Sequence, residues 1–147
     1  MVCPICNGRT KAGQPCKRHT CKYAPKCHSH TKVQVGASNI PGAGRGLFAK
    51  ADINRGEVVA NYTVGTQRMT PAQFQAKYPS GRATHVWSPR GSTVYYDATD
   101  ASKSVAGMAN RGGRNNARIT GGGRIKVLNR IPRGREISVS YGSGYRM

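Results

Sequence analysis

Three groups of residues in this chain are of types that do chemistry. The first is the pair Asn110 and Asn116, which bracket Asn110-Arg-Gly-Gly-Arg-Asn-Asn116. An asparagine side chain offers two donors and an acceptor, so one residue can hold a small molecule's amine while tying down a loop. The second is Tyr141, at the end of Glu136-Ile-Ser-Val-Ser-Tyr141. Strand period two puts Ile137, Val139 and Tyr141 on one face, a core stripe ending in a phenol that needs a partner. The third is a set of five cysteines within the first 27 residues, joined by His19, His28 and His30. An odd cysteine count in a chain expected to be intracellular argues against a disulfide framework and for metal. Zn²⁺ takes four such ligands tetrahedrally, usually as two local pairs. A fourth feature, Gly42-Ala-Gly-Arg-Gly46, is a turn whose bare backbone can come close to a ligand. Its GxGxG spacing, with no βαβ unit after it, excludes a dinucleotide fingerprint.

Two segments of different texture must position these groups. Residues 1–31 are rich in Cys, His, Lys and Arg and almost lack aliphatics. They cannot build a core alone, and zinc would supply the missing folding energy, so they read as a zinc-binding module. Residues 32–147 read as a second, mainly β domain. Short alternating apolar runs between Gly, Asn and Pro predict strands near Lys32–Val35, Leu47–Ala49, Val58–Tyr62, Val94–Asp97, Ala117–Thr120, Arg124–Leu128 and Glu136–Tyr141. Gly121-Gly-Gly123 predicts a hairpin turn between two of them. Thr70 as cap, Pro71 at the first position and Phe74 with Tyr78 at i and i+4 predict a helix. Residues 102–110 predict a short second one, weakened by Gly107.

Taken in order, several motifs resemble those of the SET-domain protein lysine methyltransferases, over roughly residues 33–147. They are Gly42-Ala-Gly-Arg-Gly46, Val58-Val-Ala-Asn-Tyr62, Val94-Tyr-Tyr-Asp-Ala98, Asn110 to Asn116, and Arg135-Glu-Ile-Ser-Val-Ser-Tyr-Gly142. The look is closest to the minimal SET proteins of large DNA viruses. The resemblance implies several small sheets with a threaded, pseudoknot-like C-terminal segment, and methyl transfer from S-adenosylmethionine (SAM) to a lysine amine. It implies that Gly44, Arg45 and Gly46 cradle the cofactor's methionine portion and that Asn110, Arg111 and Tyr141 also contact the cofactor. Tyr141 and Tyr62 would be catalytic. Tyr62, Tyr95 (or Tyr96), Val139 and Tyr145 would line the lysine channel. Arg111 stands where the family has histidine and Gly113 where it has cysteine. No cysteine follows residue 27, so the family's zinc-binding tail is absent, and residues 141–145 would cover the site instead. Valine at 139 offers no phenol to hold a water, which implies room for di- or trimethylation. Separately, Cys6-x3-Thr-x2-Gly-x2-Cys16 followed by Cys27-x2-His30 resembles a short zinc module of large DNA viruses and phages. That implies the ligands Cys6, Cys16, Cys27 and His30; by residue type Cys21 could replace one of them, and Cys3 and His28 are further candidates.

The charge balance is extreme, 24 Lys+Arg against five acids, a formal +19. Such a field attracts polyanions, so a nucleic-acid contact is expected, directed at the backbone because no base-reading motif is present. It also repels basic substrates such as histone tails, unless enzyme and substrate meet on DNA. The expected partner is a histone or a DNA-packaging protein, and a homodimer that completes its own sites is a further expectation. No apolar run approaches the roughly 20 residues of a membrane span, and the first residues carry no apolar signal core. Both point to an intracellular protein, in the host nucleus or a viral replication site if viral. The rival reading is a non-enzymatic, zinc-stabilised nucleic-acid-binding protein on a degenerate SET scaffold.

Overall fold

A computed structural model describes residues 3–81, 83, 85–89, 92–111 and 115–140. Three small sheets carry the fold. The first orders β1 (Val33–Ala37), β2 (Arg45–Ala49) and β9 (Glu136–Ile137), all antiparallel. The second orders β10 (Val139–Ser140), β7 (Ala117–Ile119), β8 (Arg124–Val127) and β3 (Val58–Asn61). The third orders β4 (Gln67–Met69), β6 (Tyr95–Asp97) and β5 (Val86–Trp87).

Alternation in the sequence becomes two-faced strands. In β8 Arg124 and Lys126 are exposed while Ile125 and Val127 are buried, as a sheet with one face on the core requires. The buried faces of the first two sheets meet over Leu47, Ile53, Ile125, Ile131, Ile137 and Val139, joined by Tyr62 and Trp87 of the neighbouring segments. The Gly121–Gly123 turn closes the β7–β8 hairpin, Ala117 opposite Val127 and Ile119 opposite Ile125. Gly123 sits at φ 82°, a conformation open to glycine.

The run Glu136–Ser140 threads the fold together. Glu136 and Ile137 pair antiparallel with Phe48 and Leu47 of β2. After Ser138 the same run changes partner, and Val139 and Ser140 pair parallel with Ala117 and Arg118 of β7. Ser138 at the junction bridges Asn110 in parallel sense. Ile137 and Val139 share the buried face that strand period predicts, both at most 1% exposed. The expected single strand Glu136–Tyr141 is thus two short ones with different partners.

Two elements had no sequence signal, β4 and β5. The helix predicted after Thr70 is α1 (Pro71–Lys77), opened by a capping box in which the Thr70 hydroxyl accepts from the Gln73 N–H and the Gln73 side chain accepts from the Thr70 N–H. The second predicted helix shrinks to a 3-10 turn, Ala106–Met108. A Cβ on Gly107 would lie 2.6 Å from the Ala98 carbonyl oxygen, so this backbone is packed hard on its neighbour.

Residues 3–31 form turns stitched by the isolated bridges Ile5–His19 and Arg9–Pro15. They are seated on the β core through the Tyr23 ring and the Val105 N–H, which donates to the Lys22 carbonyl at 3.0 Å. Cys3 and Cys21 are joined by a disulfide. This corrects two expectations: these cysteines are not alternate metal ligands, and a disulfide does coexist with the remaining thiols. No helix among the described residues is long and apolar enough to cross a membrane.

Candidate cofactor site and metal centre

Glu136 organises the region around the glycine turn. Its Oε2 accepts from the Ser38 hydroxyl at 2.6 Å and its Oε1 from the Asn39 N–H at 2.8 Å. The Asn110 side-chain amide donates to the Arg45 carbonyl at 2.8 Å and lies 3.4 Å from the same Oε2. The turn over residues 38–46, the asparagine segment and the threaded strand therefore meet at one carboxylate. Asn116 completes the lock. Its amide donates to the Glu136 carbonyl and its oxygen accepts from the Ser138 N–H, at 3.0 and 2.9 Å. The Val139 N–H donates to the Asn110 carbonyl at 2.9 Å.

The three glycines of the turn are not equivalent. Gly42 and Gly44 lie at φ 79° and 71° with open space where a Cβ would stand. Gly44 and Arg45 are exposed, so a ligand can approach the backbone there. Gly46 is buried, and a Cβ on it would sit 2.5 Å from Glu136 Oε2. Its lack of a side chain makes room for the carboxylate rather than for a cofactor. Arg111 is exposed beside Asn110. Tyr141 and Tyr145 lie outside the described residues, as does Gly113.

Tyr62 is 1% exposed and follows β3, its N–H donating to the Gly123 carbonyl. Its ring centroid is 6.1 Å from that of Trp87, which is 5.8 Å from that of Tyr96. Tyr95 points elsewhere. Neighbouring residues of a strand face opposite sides, and Tyr95 stacks on Phe74 of α1 at 4.2 Å. The structure packs Tyr96, not Tyr95, against the core that holds Tyr62, with Trp87 between the two rings. Val139 is buried in the same core as Tyr62.

The N-terminal segment gathers Cys6, Cys16, Cys27 and His30, whose ligand atoms all lie within 4.8 Å of one another. His30 Nδ1 is 3.4 Å from both Cys6 Sγ and Cys27 Sγ, and the Cys16 and Cys27 sulfurs are 3.9 Å apart. A tetrahedral Zn²⁺ with its usual bond lengths needs S···S of about 3.8 Å and S···N of about 3.6 Å, so the donor set fits that ion. The Gly8 and Cys27 N–H groups both donate to Cys6 Sγ, at 3.3 and 3.1 Å. Burial pushes the Cys27 thiol up, but hydrogen bonds from the Ser29 backbone, Cys6 and His30 outweigh it and bring it down to about 6, toward the thiolate that metals bind. Gly8 is a residue that sequence reasoning missed. A Cβ there would lie 2.5 Å from the His30 ring, so glycine is what lets the imidazole swing in.

Every acid of the chain is committed. Asp52 takes Arg130 and the Arg133 N–H. Glu57 takes Lys32 and the Asn54 N–H. Asp97 takes Lys77, Tyr78 and Thr99. Asp100 takes Ser102. Glu136 takes Ser38 and Asn39.

Small sheets tied by a strand threaded behind an asparagine segment, with a glycine turn latched to both, define a β-rich knotted domain. The SET-domain family model matches residues 44–142. The chain belongs to the SET-domain family, whose members are SAM-dependent protein lysine methyltransferases. Solved structures agree on the fold. A Chaetomium thermophilum Polycomb Repressive Complex 2 bound to S-adenosylmethionine superposes with TM-score 0.62 at 16% identity, over 99% of this chain and 23% of that one. A crystal structure of the same organism's complex gives TM-score 0.62 at 20% identity, over 78% and 16%. A humanized mutant of it bound to the inhibitor GSK126 gives TM-score 0.59 at 19% identity, over 80% and 16%. The chain thus spans less than a quarter of the length of these relatives. No curated protein sequence matches it.

Proposed function

We propose that this protein is a protein-lysine N-methyltransferase that uses SAM, with a structural Zn²⁺ held by Cys6, Cys16, Cys27 and His30. The observation that carries the reading is the hydrogen bond from the Asn110 side chain to the Arg45 carbonyl. It joins two motifs 65 positions apart into one wall. Bound SAM supplies a methyl group on a cationic sulfur. Gly44 and Arg45 offer it open backbone, and Asn110 and Arg111 stand beside that turn.

The amine must arrive neutral, yet a free lysine near pKa ~10.4 is neutral only about once in a few thousand at pH 7. Tyr62 and Trp87 lie in the core with Tyr96 packed against it, and a lysine channel opening beside these rings would disfavour the ammonium by desolvation. Tyr141, in the motif one residue beyond Ser140, orients the amine, and Val139 leaves the channel wide enough for di- or trimethylation. The zinc site is closed by four protein ligands and has no open position for chemistry. Its role is to fold the N-terminal segment against the domain.

The substrate is a histone or another nucleic-acid-packaging protein, met on nucleic acid, because a +19 chain repels a free basic tail. Transfer of tritium from labelled SAM to histones, nucleosomes and tail peptides tests this, with Tyr141→Phe as control. Transfer lost in Tyr141→Phe, and nucleosome stimulation lost at high salt, is the expected result. Absence of any SAM heat in calorimetry would leave a zinc-stabilised nucleic-acid binder on a SET scaffold.

A further inference from the structure

The outer face of the second sheet carries a groove of 390 Å³ lined by Arg55, Gly56, Arg118, Lys126, Val127 and Leu128. Its three charged side chains are all cationic and all exposed. Arg118 on β7 stands directly opposite Lys126 on β8. Like charges facing each other across a strand pair destabilise the sheet, so the arrangement works against the fold unless something anionic lies over it. The turn at Asn54–Glu57 adds the third charge. Gly56 adopts φ 89° and its N–H donates to the Val127 carbonyl at 2.8 Å, which pins Arg55 to the same edge.

Among the described residues no acid neutralises this groove. All five of its acids are bound to other partners, none of them Arg55, Arg118 or Lys126. A comparable pocket of 410 Å³ mixes Lys77 and Lys103 with Asp97 and Asp100 and so has no single sign. A cleft lined by one sign of charge focuses its field on a counter-ion. Val127 turns its side chain into the core, and no aromatic ring is among the residues that line the groove, so bases have nothing there to stack on.

We propose that Arg55, Arg118 and Lys126 form a docking groove for the phosphate backbone of duplex nucleic acid, read without regard to sequence. This gives a place on the fold to the nucleic-acid contact proposed above and does not depend on methyl transfer. The test is the salt dependence of binding to a mixed-sequence duplex DNA by the full chain. The variants are Arg55→Gln/Arg118→Gln/Lys126→Gln and, as a control of equal charge, Lys11→Gln/Lys50→Gln/Arg68→Gln, three exposed residues elsewhere.

Each neutralised phosphate of B-DNA contributes a slope of about −0.9 in log K against log salt, so three lost contacts shallow it by roughly 2.7. The groove variant should lose about that slope and the control much less. The groove variant should also melt no lower than the parent, since it removes an opposed like-charge pair. Its transfer of methyl to a free tail peptide should persist, which separates this proposal from the catalytic one. An unchanged slope in the groove variant, or an equal loss in the control, would overturn the groove and leave only a diffuse field.

Discussion

Glu136→Ala tests the latch between the glycine turn and the threaded strand. The carboxylate accepts two well-made hydrogen bonds, from Ser38 and the Asn39 N–H, and lies near the Asn110 amide. Hydrogen bonds to a charged group contribute about 1.5–3 kcal/mol each when well shielded. These sit on a partly exposed loop, so the low end applies and the substitution should cost about 2–3 kcal/mol. For a chain of this size that lowers Tm by roughly 4–12 °C. A turn set loose should also bind SAM about tenfold more weakly, equivalent to about 1.4 kcal/mol. Gly46→Ala makes the argument sharper. Its methyl would fall 2.5 Å from Glu136 Oε2 and 3.2 Å from Ser38 Cβ, with no backbone strain, since Gly46 is not among the residues at positive φ. Displacing the carboxylate should cost about 1–2 kcal/mol, most of it absent once Glu136 is alanine. Thermal melts and SAM calorimetry on both single variants and the double give a coupling of about 1 kcal/mol. Equal cost of Gly46→Ala in the two backgrounds would refute the latch, as would Glu136→Ala melting like the parent.

Gly8→Ala should cut zinc affinity at least tenfold, because the new methyl occupies the space of the His30 ring. Zinc content by mass spectrometry of the purified variant checks it, and a chelator should melt the N-terminal segment of the parent. Tyr96→Leu should raise KM for the lysine substrate several-fold, whereas Tyr95→Leu should lower Tm with little change in KM. Equal kinetic effects would return Tyr95 to the channel. Burial pushes the Asp97 carboxyl up, but hydrogen bonds from Lys77, Thr99 and Tyr78 outweigh it and hold it below its ordinary 3.8. Its contribution to stability is therefore complete above pH 3.8 and lost as pH falls through the lower folded value. Asp97→Asn should flatten that acid limb of a stability-against-pH curve, and an unchanged limb would exclude the carboxyl as its source.

Much of the β texture was legible because it is local. Alternation in Arg124–Val127, the glycine triplet before it and the Thr70–Gln73 cap each speak within a few residues. Strands β4 and β5 were not, since three and two residues are too few to show a period. The break at Ser138 is a change of partner, from β2 to β7, and a partner leaves no mark on the strand's own sequence. The same holds for Glu136, which reads as an ordinary strand acid until Ser38 and Asn39 arrive from the far end of the chain. The cluster Cys6, Cys16, Cys27 and His30 was implied by the resemblance to a viral and phage zinc module, while the Cys3–Cys21 bond needed the path of the chain between them. Between Tyr95 and Tyr96 the sequence cannot choose, because strand period separates the two faces without saying which one meets Tyr62.

The threaded run also sets the order in which the molecule can assemble. The β1–β2 and β7–β8 hairpins join near neighbours in sequence and can close within microseconds. Ser38 and Glu136 are 98 positions apart in a chain of 147, and joining them means closing a loop of two-thirds of the chain, the slow, entropically costly event. Until that event the hairpins can be complete while the glycine turn, the asparagine segment and the buried tyrosine remain strangers. The wall proposed for the cofactor is thus expected to close last, when the strand carrying Glu136 docks, rather than piece by piece.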